Sequence, residues 1–308
     1  MRRERGMALA SALLVLALAA LLAYSLIGQG QISLERSANL QRANQAAELA
    51  HGLQDYALVL LAREELEGPG VDSADDAWAA PLPPLPVPQG QVRGSLAELN
   101  GRFNLNSLVT KQGGKDPVAL RRLQRLLQAL ELDPRLAAVV VDAVDADQQN
   151  DGGAEDLDYL RADPPRRAAN RAFAHVSELR SCLGFNDEVL EKLLPHVAAL
   201  PTGTQLNVNT ASVPVLMSLN DDLGSELARR IWNDGRARYT AIGDFVTQLA
   251  QAGALLTPEQ QADLGVQSNY FLAKAAVSLD GSEYRFQALL ERGAGGGRVH
   301  WRLRGDFR

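Results

Sequence analysis

Seven carboxylates fall within the 17 residues from Asp142 to Asp158: Asp142, Asp145, Asp147, Asp151, Glu155, Asp156 and Asp158. Like charges at this density repel one another unless something positive sits among them. Hard oxygen ligands interleaved with backbone-permissive glycines, here Gly152 and Gly153, suit Ca2+, which takes about 6–8 oxygens. Counted from Asp147, acids or amides occupy positions 1, 3, 5, 9 and 12 (Asp147, Gln149, Asp151, Glu155, Asp158), with Gly152 at position 6. That is a loose EF-hand spacing, weakened by Gln149 at the third position and by Asp158 in place of Glu at the twelfth. A solvated acidic loop is the alternative.

Other chemistry-bearing residues are dispersed. His51, His175, His196 and His300 lie far apart, and no HExxH or GxSxG string occurs. Gly113-Gly114-Lys115 lacks the spaced first glycine and the Ser/Thr of a phosphate loop. Cys182, the one cysteine, sits between Leu179 and Leu183 and reads as a small buried hydrophobe. It excludes an internal disulfide and a multi-cysteine zinc site. The chain is therefore expected not to be an enzyme.

These residues need elements to hold them. With 308 residues, 46% apolar and 22% charged, the chain can bury a core and is no disordered polymer. Its formal net charge of −6 argues against broad nucleic-acid binding. The apolar residues are unevenly spread: Met7 to Ile27 is a 21-residue stretch without charge. As a helix it covers roughly 30 Å, the thickness of a bilayer's hydrocarbon core. Arg2, Arg3 and Arg5 outweigh Glu4 ahead of it, which puts the N-terminus on the cytoplasmic side and the bulk of the chain across the membrane. A cleaved secretory signal, with Ala17-Leu18-Ala19 or Leu21-Leu22-Ala23 near the cut, is the competing reading.

Beyond Ile27 the spacing of Leu34, Leu40, Ala43, Ala47, Ala50, Leu53, Ala57, Leu60 and Leu61 continues a helix to about Leu66. Gly68-Pro69-Gly70 breaks it, and Pro81 to Pro88 forms an extended connector that cannot be a central strand. Short strands are expected over 91–99 and 102–105. Helical patterns then run from about Asn106 to Gly265, with N-caps at Asp116, Asp133, Asn186 and Thr257. After Gly265 the period switches to two, and Asp280-Gly281 marks a hairpin turn. The fold class is thus α+β: a long N-terminal helix on a small antiparallel sheet, with a large all-α domain inserted between strands. The expected parts are a leader (1–6), a membrane and assembly helix (7–66), a sheet (67–105 and 268–308) and a helical insert (106–267).

Phe103-Asn104-Leu105-Asn106-Ser107 returns as Leu206-Asn207-Val208-Asn209-Thr210, a sign of two related helical subdomains. The second copy continues into a helix-hairpin-helix pattern. Its hairpin carries Asp221 and Asp222, which would repel a phosphate, so protein packing is favoured over DNA binding despite Arg229, Arg230, Arg236 and Arg238.

MRRERG followed by MALASALLVLALAALL resembles the class III signal of type IV pilins and type II secretion pseudopilins. Trp78 with PLPPLPVP, the segment Gly94 to Leu108, the D-x-x-D-x-D…G-A-E-D acidic pattern and AANRAF together resemble the minor pseudopilin K family of the type II secretion system. The resemblance implies cleavage by a prepilin peptidase after Gly6 and N-methylation of Met7. It implies a mature chain assembled through parallel N-terminal helices with other minor pseudopilins, above the major pseudopilin, at the tip of a periplasmic pseudopilus that exports folded proteins. Ser11 stands where most members carry Glu. It is either a tolerated small residue or the mark of a subunit with no predecessor to neutralise, which favours the tip. The implied calcium ligands are Asp145, Asp147, Glu155 and Asp156, then Asp151 and Asn170, holding a structural Ca2+. The implied location is the inner membrane before assembly and the periplasmic tip afterwards, with no nucleic-acid partner. Contact with secreted substrates or the outer-membrane secretin stays open. The alternative is a membrane-anchored periplasmic calcium-binding or DNA-uptake module.

Overall fold

The computed structural model describes residues 2–67, 70–80, 82–150, 152–293 and 296–305, with side chains of the first helix from 12 to 64. That helix, α1, runs Arg2–Glu67 without a break. Its first half is long and apolar enough to cross a membrane, and among the described side chains those from Ala12 to Ile27 are all exposed. Leu13, Leu16, Leu21 and Ile27 are all more than half exposed. From Ala43 onward the small side chains of Ala46, Ala50 and Ala57, with Leu53 and Leu61, let the helix lie close on a sheet.

After α1 the chain forms a strap tied down through Asp72, Ser73, Asp76 and Trp78. Asp72 forms a buried two-pronged ion pair with Arg292, with Nη1 to Oδ1 at 2.7 Å. Trp78 packs edge-on to Phe271 and donates its backbone N–H to Glu64. Two strands follow, β1 (Leu85–Val87) and β2 (Gly90–Glu98). Pro86 is tolerated because β1 is an edge strand.

The chain then departs into the helical insert. Its elements are β3 (Phe103–Asn104), α2 (Pro117–Ala129), α3 (Leu136–Val144), α4 (Asp156–Tyr159), α5 (Asp187–Leu193) and β4 (Val197–Ala198), followed by β5 (Leu206–Asn207), α6 (Val213–Met217), α7 (Ser225–Trp232), α8 (Ile242–Gln251), α9 (Pro258–Gln261) and β6 (Leu264–Gly265). It returns as β7 (Tyr270–Leu279), β8 (Ser282–Glu291) and β9 (Arg298–Arg304). The five-stranded sheet has the order β1-β2-β7-β8-β9 and is antiparallel throughout. Asp280-Gly281, both at positive φ, makes the expected hairpin turn.

One boundary differs from expectation. Phe103–Asn104 does not join the large sheet; it pairs in parallel with Val197–Ala198 inside the insert. The sheet therefore ends at Glu98, and the segment around Arg102–Leu105 belongs to the helical part.

The insert is a duplicated unit. In each copy a two-residue strand carrying Asn pairs in parallel with a strand at the copy's end, β3 with β4 and β5 with β6. The first Asn of each Asn-x-Asn accepts from the N–H of the second, Asn104 from Asn106 and Asn207 from Asn209. The second Asn clamps both backbone groups of one distant residue: Asn106 holds Phe173, and Asn209 holds Tyr239. Buried amide groups satisfied this fully specify one arrangement of the chain.

The caps behave as the sequence predicts at Asp116, Asn186 and Thr257. Asp133 instead bonds the N–H of Arg135 in the turn before α3. Cys182 is buried at the end of a 3-10 turn, and burial pushes its thiol up to about 12.

The order of contacts along α1 locates the insert. Arg42 pairs with Asp280 at the β7–β8 turn, and Ala46 and Ala50 pack with Val277 and Leu279. Ala57 and Leu61 pack with Phe271 and Leu290 at the other end. The insert enters after Glu98 and leaves before Tyr270, so it stands at the end of the sheet farthest from the apolar first half of α1.

Candidate functional site

The acidic loop hangs from the end of α3. Val140, Val141 and Val144 bury that helix in the insert's core, and this fixes Asp142 and Asp145 one turn apart on its last turn. Asp145 closes the helix, its N–H bonded to the carbonyl of Val141. Asp142 and Asp145 are 0% and 1% exposed.

The chain returns against α3 at Gly153. A Cβ there would lie 2.4 Å from the carbonyl oxygen of Ala138 and 2.7 Å from Asp142 Oδ2, so only glycine allows this approach. Glu155 follows, buried, just ahead of α4. Asn170 closes the loop from the other side in a left-handed conformation. Its Nδ2 donates to the carbonyl oxygen of Asp147 and, at 3.3 Å, to Glu155 Oε2.

One ligand oxygen from each of Asp145, Asp147 and Glu155 lies within 4.8 Å of the others. Asp145 Oδ1, Glu155 Oε1 and Asn170 Oδ1 are buried and accept no hydrogen bond. Leaving a buried acceptor without a donor costs about 1–3 kcal/mol, and here three acceptors from three segments share that condition. Lys115 approaches Asp145 Oδ2 at 3.3 Å.

The electrostatics are those of a site short of positive charge. Burial pushes Asp142 up to about 6, with Lys115 opposing and Asp145 adding to the rise. Burial likewise raises Asp145 against the pull of Lys115. Glu155 is raised by burial, opposed by the Asn170 hydrogen bond and reinforced by Asp142, Asp145 and Asp147.

The remaining expected residues are distributed differently. Asp156 lies outside the group of three: its Oδ1 accepts from the N–H of Ala168 at 3.0 Å and its Oδ2 faces Arg167 at 3.8 Å. Asp158, the twelfth position of the loose EF-hand spacing, accepts from the N–H of Glu155 and serves the start of α4. Since α4 is only four residues long, no EF-hand helix pair forms. Asp151 lies outside the described residues. The backbone at Gly6, Met7 and Ser11 is helical, and their side chains also lie outside the described residues.

Two site residues were missed from sequence as members of the group. Asp142 is three residues from Asp145, a spacing that puts both on one helix face and was available as a signal. Lys115 is brought in over a distance of 30 residues by the turn ahead of α2, and no local pattern announces it. In the helix-hairpin-helix element, Asp221 is gripped by Arg125 of α2, with Nη2 to Oδ2 at 2.7 Å, so the hairpin carboxylate packs against protein.

A long N-terminal helix, apolar in its first half and seated on an antiparallel sheet in its second, defines a pilin-like subunit with the character of a membrane anchor. Family models described as type II secretion system protein K match residues 101–202 and 206–267, the two copies of the insert. The type II secretion system protein K of Pseudomonas aeruginosa is 36% identical over 307 residues, covering 96% of this chain and 91% of that protein. The Aeromonas hydrophila protein of the same name is 29% identical over 95% of this chain and 94% of its own length. Among solved structures, a chain in the GspK-GspI-GspJ complex from enterotoxigenic Escherichia coli superposes with a TM-score of 0.77 at 26% identity, covering 88% of this chain and 99% of that one. The chain belongs to the type II secretion system protein K family, and it is a minor pseudopilin of that system.

Proposed function

We propose that the chain is the terminal subunit of the pseudopilus, inserted in the inner membrane by α1 and then carried outward as the first subunit of the fibre. The observation that supports this most is the position of the insert. It occupies the end of the sheet opposite the membrane-length stretch, away from the half of α1 along which parallel helices would pack in a membrane. Subunits packed at its sides would have no room for it. Exposed Leu34, Leu40, Tyr56 and Val59 on α1 offer the apolar surface against which neighbouring helices would pack. The solved relative was determined in a complex with GspI and GspJ, and the equivalent minor pseudopilins are the partners proposed here, with the major pseudopilin beneath them.

Processing follows the same reading: cleavage after Gly6, methylation of Met7, and a periplasmic sheet and insert. The acidic loop holds a structural Ca2+ through Asp145, Asp147 and Glu155, with the unsatisfied Asn170 Oδ1 as a fourth oxygen. The orphaned buried acceptors support a cation there, because hydrogen-bond donors are what they lack and a hard cation is what oxygens of this kind bind. When bound, the ion neutralises the cluster and ties the end of α3 to the 153–170 segment.

Intact-mass measurement of the chain purified from membranes tests the proposed processing. The expected terminus is methylated Met7. A terminus near Tyr24, or an uncut Met1, would overturn it.

A further inference from the structure

The calcium-binding reading leaves Lys115 unexplained. Its ammonium points into the acidic cluster at 3.3 Å from Asp145 Oδ2, and the side chain is 29% exposed. The residue is held there by the backbone. Lys115 forms an antiparallel bridge with Val109, Thr110 N–H bonds the carbonyl of Gly114, and Asp116 N–H bonds the carbonyl of Leu108. Gly113 takes the positive φ that this tight reversal requires. Lys111, on the same turn, goes elsewhere: its Cε lies 2.5 Å from where a Cβ on Gly203 would stand. The turn therefore aims one of its two lysines at the site.

Resting on the calcium reading, we propose that Lys115 is a built-in competitor of the metal. Its ammonium neutralises Asp145 in the metal-free protein and must leave that oxygen for the ion to take full hold. Asp145 Oδ1 and Glu155 Oε1, both buried and unpartnered, show that a monovalent ammonium satisfies only part of the cluster. A flexible four-carbon stem allows the exchange, since a lysine can swing its charge into solvent while its methylenes stay packed. The device sets the calcium affinity below what the oxygens alone would give, and it keeps the loop folded until the ion arrives.

The test is calcium titration by calorimetry, with melting temperatures in chelator and in calcium, on the full chain in detergent micelles. Lys115→Met keeps the stem and removes the charge. It should bind calcium about tenfold more tightly, equivalent to about 1.4 kcal/mol. It should also melt lower than wild type in chelator, and its gain on adding calcium should exceed that of wild type. Lys115→Arg, which keeps the charge, and Lys111→Met, which removes one from the same turn, should both stay within about twofold of the wild-type affinity. If Lys115→Met binds calcium no more tightly than wild type, or loses the same number of degrees with and without calcium, Lys115 is a brace and the proposal fails. Should Lys115→Met not fold, an Lys115→Arg affinity unlike wild type would overturn it equally. If wild type itself shows no heat and no melting shift, the calcium reading of the site falls, and the role of Lys115 falls with it.

Discussion

At the scale of single residues, the paired asparagines tie distant backbone segments of the insert together. Asn106 donates to the carbonyls of Phe173 and Leu200 and accepts from the N–H of Phe173, all in the interior. Truncating it removes one side of three buried hydrogen bonds at once and leaves their backbone partners without water. Asn106→Ala should therefore cost about 3 kcal/mol, from the usual penalty of an unsatisfied buried group, read as a shift in the denaturant midpoint. A loss below about 1 kcal/mol would mean that water or a local shift replaces the clamp. The Asn-x-Asn echo is visible in the sequence, but its partners are not. Nothing near Asn106 points to Phe173, because the contact spans 67 residues and is made to backbone, which carries no sequence signature. Asp142 and Lys115 divide in the same way. The first is legible as a helical neighbour of Asp145, whereas the second is brought in by a turn whose placement depends on the whole insert.

At the scale of elements, the join between insert and sheet is both apolar and titratable. His175, just ahead of a 3-10 turn in the insert, lies edge-on to Trp301 of β9 with ring centroids 5.2 Å apart. Leu99, Ala198, Leu200, Tyr270 and Leu289 complete the seam. Burial holds the His175 ring below its ordinary value of 6.5, and Glu178 opposes that shift. A depressed histidine binds protons more readily in the unfolded chain, so its contribution is complete above about pH 6.5 and is lost as pH falls through the range below it. His175→Asn retains a side-chain oxygen that can accept from Ser177, as the ring nitrogen does now. Wild type should thus lose more stability than His175→Asn between pH 7 and pH 5, measured by thermal melts. Equal losses would mean that the ring protonates without disturbing the seam. Elements with local causes were legible from sequence: the caps at Asp116, Asn186 and Thr257, the Asp280-Gly281 turn, and the long helix, although Leu34 and Leu40 of its expected stripe are exposed. The two parallel bridges were not, since each is two residues long and joins segments dozens of residues apart. That is why Phe103–Asn104 was expected in the wrong sheet.

At the scale of the whole molecule, three parts with different solvents are arranged in line. The stretch of α1 from Met7 to Ile27 carries no charge and suits lipid, the second half of the helix lies on the sheet, and the duplicated insert caps the far end. The strap after α1 ties the last two together, since Asp72 grips Arg292 beside the sheet and Asp76 accepts from Arg238 of the insert at 2.9 Å. The insert is thus held at a fixed place at the end of the sheet. The most direct measurement is electron microscopy of assembled pseudopili labelled with gold-conjugated antibody against the insert. Label is expected at one end of each fibre and none along its shaft. Label distributed along the shaft, or fibres of normal number and length from cells lacking this chain, would contradict the proposed tip role.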